Sequence, residues 1–560
     1  MIPAMTRLFL PPLNHSMPFT LRRSRRKGLP PSRSLVDVVK SIYVCDTQTD
    51  DFETEKRVRA SYRRRNEEYY RPHWIMRLPV ELLAHVFVMG AEQDTMLPIT
   101  VSHVCRDWRY LALRTPALWR RITLDSRLRM WSERIVRARA CTLDVEILPQ
   151  ALPITPRIRR HYLDAQTVQL YMHMIAPYLS RLRSLTVSFE HYAPYLWNAT
   201  LSVCCGFGPK VQAPRLESLS LVHPNNDDPK EFLLFNGHAP LLRSVTLNGI
   251  RLTWMPSLFT NLTFLDYTHH GFTRGQDAEI EIFRMLQVCT HLRELRLAFP
   301  GQTRKTMQLH LTPLSPKDRI YFEHLRVLTI HVDSADIPSA LVILVSRFHF
   351  RYLRKMTLSS SAPVLIAPQG RNHFGTHSSM QMPFFSRTRK FLKALPRLPS
   401  LTRLELTNAW CRASFVCGIL IQHVPKLKLL TLRSPNVDDA FLWSLGEACR
   451  GRHHIVYPPP GGMAEVIYTP LRVLEIEGAW VSGEGFIQVV RRMLGGGIMW
   501  VGEIWVKDCK AVDSDVVKRA ARFGVPVKVL PGVVGLKDKV GSAFVAMGNS
   551  AFTWTRRRDR

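Results

Sequence analysis

Residues 424–449 read VPKLKLLTLRSPNVDDAFLWSLGEAC, and the spacing within this stretch decides the fold class. Leu427, Leu430 and Leu432 follow the order Leu, two residues, Leu, one residue, aliphatic. The last two are two apart and point to one face of a strand, while the first turns the chain into it. Asp438 or Asp439 then suits the cap of a helix whose Phe441, Leu442 and Leu445 share an inward face. A lone strand with one returning helix cannot bury its leucines, so such a unit needs neighbours.

Working outward, the spacing returns at Leu182/Leu185/Val187, Leu216/Leu219/Leu221, Leu242/Val245/Leu247 and Leu292/Leu295/Leu297. It continues at Leu325/Leu328/Ile330, Leu353/Met356/Leu358, Leu401/Leu404/Leu406 and Leu471/Leu474/Ile476, with a degraded copy at Leu262/Leu265/Tyr267. After the copy at Leu471, Ser482 stands near a helix cap, with Phe486, Val489 and Val490 facing inward. Trp505 to Cys509, with Val516 and Val517, reads as a final copy. The set resembles the leucine-rich repeat, which implies a parallel sheet wound into a solenoid. Successive copies lie about 20 to nearly 50 residues apart, so insertions are expected, notably Ser359 to Lys390 and Gly451 to Gly462.

Two columns cross these strands. Thr186, Ser220, Thr246, Thr329, Thr357 and Thr431 take the central outward position. Arg183, Arg243, Arg293, Arg326, Arg354, Lys428 and Arg472 follow the first leucine of their copies. Stacked at the ~4.8 Å strand spacing, they would make a basic ladder at the sheet rim, able to engage an acidic or phosphorylated protein segment.

Upstream, residues 78–122 read LPVELLAHVFVMGAEQDTMLPITVSHVCRDWRYLALRTPALWRRI. Pro79 suits the first turn of a helix, and Glu81 lies near the positive end of its dipole. Leu82, Leu83, Val86 and Phe87 make an apolar face, and the segment from Gly90 to Pro98 breaks the pattern. A second helix carries Leu97, Val101, Val104, Trp108 and Leu111 until Thr115-Pro116 stops it; Leu118 and Trp119 follow as anchors. A segment of roughly 45 residues is too small for a self-sufficient core, so its apolar face wants a partner.

This stretch resembles the F-box, the helical module that plugs substrate receptors into cullin–RING ubiquitin ligases. The resemblance rests on Leu78-Pro79, Glu81-Leu82-Leu83, Val86-Phe87, Val104 to Trp108 and Thr115 to Trp119. It implies a Skp-family adaptor and, through it, a cullin as partners. It also implies that Leu78, Pro79, Leu82, Leu83, Val86, Phe87, Val104, Cys105, Trp108, Leu118 and Trp119 form the adaptor-facing surface or its support. The bland alternative is an ordinary helical hairpin with these residues as internal core. The expected fold class is α/β: a helical F-box at 73–125, a connecting helical segment at 126–178 and an irregular leucine-rich-repeat solenoid at 179–535. Basic tails at 1–72 and 536–560 flank it, the first disordered.

The chain has 560 residues, 46% of them hydrophobic, enough for several cores. Its net charge of +32 favours acidic partners and motivates a rival reading as a basic scaffold or nucleic-acid-binding solenoid. Nucleic acid is disfavoured, because the basic column lacks interleaved aromatics. No apolar run approaches the ~20 residues that span a bilayer, so no membrane association is expected. Ten cysteines without zinc-type spacing argue for reduced thiols in the nucleus or cytoplasm, with no metal and no cofactor. Cys449 with His453 and His454 lacks a second ligand pair. The cluster from Arg22 to Lys27 reads as a basic tail or an import signal. No Walker loop, Gly-x-Ser-x-Gly elbow or His-Glu-x-x-His helix is present, and a ligase receptor needs no chemistry of its own.

Overall fold

The computed structural model describes residues 74–125, 127–147, 165–189, 195–205, 211–301, 312–361, 384–451, 471–493, 501–509 and 511–530. The basic tails, the His453-His454 pair and most of the two long insertions lie outside the described residues. Residues 1–79 and 80–560 are separate compact units. Of the first, the described part is a single 3-10 turn at Trp74–Arg77, where the Ile75 carbonyl accepts from the Leu78 amide at 3.3 Å.

The second unit opens with three helices: α1 (Val80–Gln93), α2 (Leu97–Ser102) and α3 (Arg106–Arg114). Strand β1 (Arg121–Thr123), helix α4 (Leu128–Arg137) and strands β2 (Leu143–Ile147) and β3 (Leu182–Ser188) follow. These strands begin a 14-stranded sheet, which ends at Val527–Leu530. Its strands lie in chain order and every pairing is parallel, so the chain crosses back before laying down each new strand. Two parallel pairs stand apart from this sheet, Glu231–Phe232 with Arg251–Leu252 and Ile320–Phe322 with Phe348–Phe350. No described helix is long and apolar enough to cross a membrane.

The repeated aliphatics explain the sheet. Every residue of the ten sets named above is at most 3% exposed. Neighbouring sets pair in register, as Leu295 with Leu328, Leu328 with Met356 and Met356 with Leu404. The residue between the last two aliphatics of each set stays half-exposed except Thr431, which is the alternation of a strand with one covered face. Each buried Leu or Ile side chain contributes about 1.5–3 kcal/mol, so stacking the copies is the main source of stability. The helix starts behave as their sequences imply. Asp438 accepts from the Phe441 amide at 2.7 Å, and Ser482 accepts from the Gly485 amide at 2.9 Å. Phe441, Leu442, Leu445, Phe486, Val489 and Val490 are all buried.

Four expectations need correction. The sheet begins at β1 rather than at residue 179, because β1 and β2 alternate apolar and polar without the leucine spacing and escape that pattern. One more strand, Val527–Leu530, follows the copy at Trp505. The first helix runs past Gly90 to Gln93. A Cβ at Gly90 would lie 2.4 Å from Leu97 Cδ2, so the missing side chain lets Leu97 pack directly on the helix. The expected second helix is two helices broken at Val104-Cys105. There the backbone is extended at Cys105, whose Sγ accepts from the Trp108 amide, while the freed Ser102 carbonyl accepts from Arg109 Nε at 2.7 Å.

Candidate functional site

Helix α1 is apolar on two faces. Leu83, Phe87 and Ala91, four apart, are buried. Phe87 meets the Trp108 ring at 4.8 Å, which fixes α1 against α3. Leu82, Val86 and Met89 form a second stripe on the same helix and stay 54%, 50% and 51% exposed. Val80, Val104, Tyr110 and Leu113 are exposed as well. Large apolar side chains left half in water along one helix stripe mark a surface that another molecule covers.

The residues singled out from the sequence therefore divide. Leu82, Val86 and Val104 are exposed, as are Leu78 and Pro79 in the first unit. Leu83, Phe87, Leu118 and Trp119 are internal, and Trp108 is half-buried beneath Phe87. Cys105 caps α3. Met89 was missed although its spacing from Leu82 and Val86 announces it; Val80, Tyr110 and Leu113 carry no such signal.

Beneath this layer Trp119 is fully buried, and its indole N–H donates to the Ala112 carbonyl at 2.7 Å. A column of alternating cations and rings ties α4 to it. Arg127 and Arg134 lie 5.7 and 4.9 Å from the Trp131 ring, while Arg134 and Arg137 lie 5.8 and 4.8 Å from Trp119. Burial, helped by the charges of Arg127 and Arg137, lowers the Arg134 guanidinium to about 10. The ring faces offset part of that desolvation.

Ion pairs join the end of α1 to the first strands. Arg120 bonds Glu92 at 2.7 Å and reaches Asp144 at 3.2 Å. Asp144 also takes both arms of Arg183, at 2.8 and 2.7 Å, and the Ser184 hydroxyl at 3.0 Å. Arg121 bonds Glu146 and the Glu92 carbonyl. A cavity of about 450 Å³ opens among Val88, Glu92, Arg120, Asp144 and Arg183. Asp144 is 8% exposed and central, so Asp144→Ala leaves Arg183 without its carboxylate and Arg120 with Glu92 alone. Equilibrium denaturation should show a loss of about 1–3 kcal/mol, the range for lost charge-assisted hydrogen bonds to groups that keep access to water.

Of the basic column, Arg183 is thus committed to Asp144. The other six, Arg243, Arg293, Arg326, Arg354, Lys428 and Arg472, are exposed. The Thr column likewise faces outward in register: Thr186 pairs with Ser220, and Ser220 with Thr246.

A buried cluster not anticipated from sequence sits behind the sheet, where His269, His270 and Glu281 converge. Both His Nδ1 atoms accept backbone N–H groups, from Gly271 at 3.2 Å and Phe272 at 3.0 Å. The proton then sits on each Nε2, which donates to Thr273 from His269 and to Glu281 from His270. Those nitrogens have no lone pair for a metal, and the cluster is a structural brace. Burial alone pushes the Glu281 carboxyl up. Bonds from His270 and Thr273, with the Arg251 guanidinium, outweigh it and hold the group down at about 2. A lowered carboxylate stabilises the fold above its unfolded value of about 4.5 and loses that contribution as pH falls through about 2. Glu281→Gln should therefore flatten the fall of the thermal midpoint across that window, removing a contribution on the order of 3 kcal/mol.

No curated protein matches the chain. Residues 75–125 match the family model for the F-box-like domain, and over that segment the chain is similar to F-box proteins.

Proposed function

We propose that this protein is the substrate-recognition subunit of a cullin–RING ubiquitin ligase, acting in the nucleus or cytoplasm. The observation that carries the reading is the exposed stripe of Leu82, Val86 and Met89 on the first long helix of the F-box-like segment. A Skp-family adaptor covers this stripe together with Val104, and so links the chain to a cullin. Leu83, Phe87, Cys105, Trp108, Leu118 and Trp119 support that surface from inside. The parallel sheet with its recurring leucines is read as a leucine-rich-repeat solenoid that holds a target protein. The chain itself needs no catalytic group, since the gain comes from bringing a target close to a charged conjugating enzyme.

Support for this reading comes from the order of parts. The helices that carry the adaptor stripe are tied to the first strands through Glu92, Arg120, Asp144 and Arg183, so a target on the sheet keeps a fixed place relative to the adaptor. The test is calorimetric titration of the full chain with a purified Skp-family adaptor. A one-to-one complex of submicromolar affinity, about −8 kcal/mol or better, is expected. Folded protein that releases no heat and does not co-elute with the adaptor would end the reading.

A further inference from the structure

Most charges on the outward face of the sheet are matched among themselves. Lys355 and Glu405 pair at 3.7 Å, Glu405 bonds Arg433, Arg433 reaches Glu477 at 2.6 Å, and Glu477 bonds Lys507 at 2.6 Å. Further toward the N-terminal end of the sheet, Arg296 lies 3.7 Å from Asp266 and bonds Glu294. Arg403, exposed and in register beside Lys355, is the exception on a face whose charges are otherwise paired.

The N-terminal rim of the same sheet is different. The amide of Arg326 donates to the Arg293 carbonyl at 2.8 Å, and that of Arg354 to the Arg326 carbonyl at 2.9 Å. Thr402 continues the row from Arg354, Lys428 from Thr402, and Arg472 from Lys428. Toward the other end Thr263 joins Arg293 to Arg243, after which Glu217 and the committed Arg183 close the row. Arg243, Arg293, Arg326, Arg354, Lys428 and Arg472 thus share one row across strands spaced at ~4.8 Å, with Arg293, Arg326 and Arg354 adjacent, Lys428 and Arg472 adjacent, and Thr263 and Thr402 between the groups. None of the six has a side-chain ion pair or hydrogen bond among the described residues. Stacking like charges this closely costs stability, roughly 1 kcal/mol per neighbouring pair even in water, and an anion laid along the row reverses the sign of that term.

From this contrast we infer that the rim, and not the outward face, receives the target, and that it takes an extended protein segment rich in carboxylate or phosphate groups, laid across the strands. The inference rests on the receptor reading above and names the chemistry of what that receptor holds. Five of the six cations are Arg, whose planar fork pairs with carboxylate and phosphate oxygens two bonds at a time. Nucleic acid fits the row less well. Single-stranded binding sites pair a basic groove with ring faces for the bases, and this row consists of Arg, Lys, Thr and Glu.

The experiment measures fluorescence anisotropy on the full chain with three labelled probes. These are a short glutamate-rich peptide, a peptide of the same length in which phosphoserines replace the glutamates, and a single-stranded oligonucleotide of equal charge. R293E/R326E/R354E is compared with the charge-matched control R389E/K390E/K393E, which alters an exposed helix elsewhere; circular dichroism confirms the fold of both. At least one peptide should bind, and the rim variant should weaken it about thirtyfold or more while the control stays within about twofold. The ratio between the two peptides tells carboxylate from phosphate as the preferred group. Three results overturn the inference: neither peptide binds, the rim variant binds as wild type does, or the oligonucleotide outcompetes both peptides and is the probe the rim variant loses. Adaptor titration of the same samples separates the two claims. Rim variants that keep the adaptor and lose the peptide support both, whereas wild type that takes the peptide and refuses the adaptor sinks only the receptor reading.

Discussion

Replacing Leu82 and Val86 together by aspartate abolishes capture of a Skp-family adaptor and leaves the unfolding midpoint of the chain where it was. Both side chains are already half in water, so the folded chain loses little packing when they are shortened and charged. In the complex the balance reverses. Covering the remaining area of the two apolar groups contributes about 1 kcal/mol each, and that term vanishes. Two carboxylates must also be dried against an apolar partner, at several kcal/mol unless they find a cation. Together these changes amount to a loss of at least about a hundredfold in affinity. Titration calorimetry reads the affinity and differential scanning calorimetry the midpoint. A double variant that binds like wild type would mean that the partner docks elsewhere.

Trp119→Ala does the opposite. The indole is fully buried beside the guanidinium groups of Arg134 and Arg137, and its N–H donates to the Ala112 carbonyl at the end of α3. Truncation leaves a large void, an Ala112 carbonyl with the Thr115 amide as its remaining donor, and a buried cation with one ring face fewer. A loss of about 3–5 kcal/mol is expected from the void alone. Denaturant titration should show it as a lower midpoint, with a separate early transition if α1 to α4 unfold before the sheet. Adaptor affinity measured well below that transition should change little, because Trp119 presents no surface to a partner.

The contrast between these two variants marks how far the sequence could be read. The sheet was legible because burial of ten similar sets imposes one spacing, and Leu427/Leu430/Leu432 alone announces it. β1 and β2 were not, since Arg121–Thr123 and Leu143–Ile147 obey only strict alternation over a few residues. Within α1 the apolar residues were legible but their roles were not. Leu82 and Leu83 are adjacent, both apolar, and belong to different stripes; the choice between them depends on where Trp108 lands, 21 positions beyond Phe87 in the chain. The break at Cys105 depends on one thiol capping one amide, which periodicity does not encode. The basic row was visible as a position after the first leucine. That Arg183 leaves it for Asp144, a residue 39 positions earlier, is a tertiary fact. The pairing of Glu405, Arg433 and Glu477 across separate strands is of the same kind.

Hydroxyl-radical footprinting of the full chain, alone and with a saturating Skp-family adaptor, tests the central claim most directly, because it reports the exposure of individual side chains. Met89 and Met255 serve as an internal pair, since one lies on the α1 stripe and the other at the start of the short helix Pro256–Phe259, and both are exposed in the free chain. Oxidation of Met89, together with that of Leu82 and Val86, should fall several-fold in the complex, while Met255 reacts as before. A stable complex in which the α1 residues react at the free rate would show that the stripe is not what the adaptor covers.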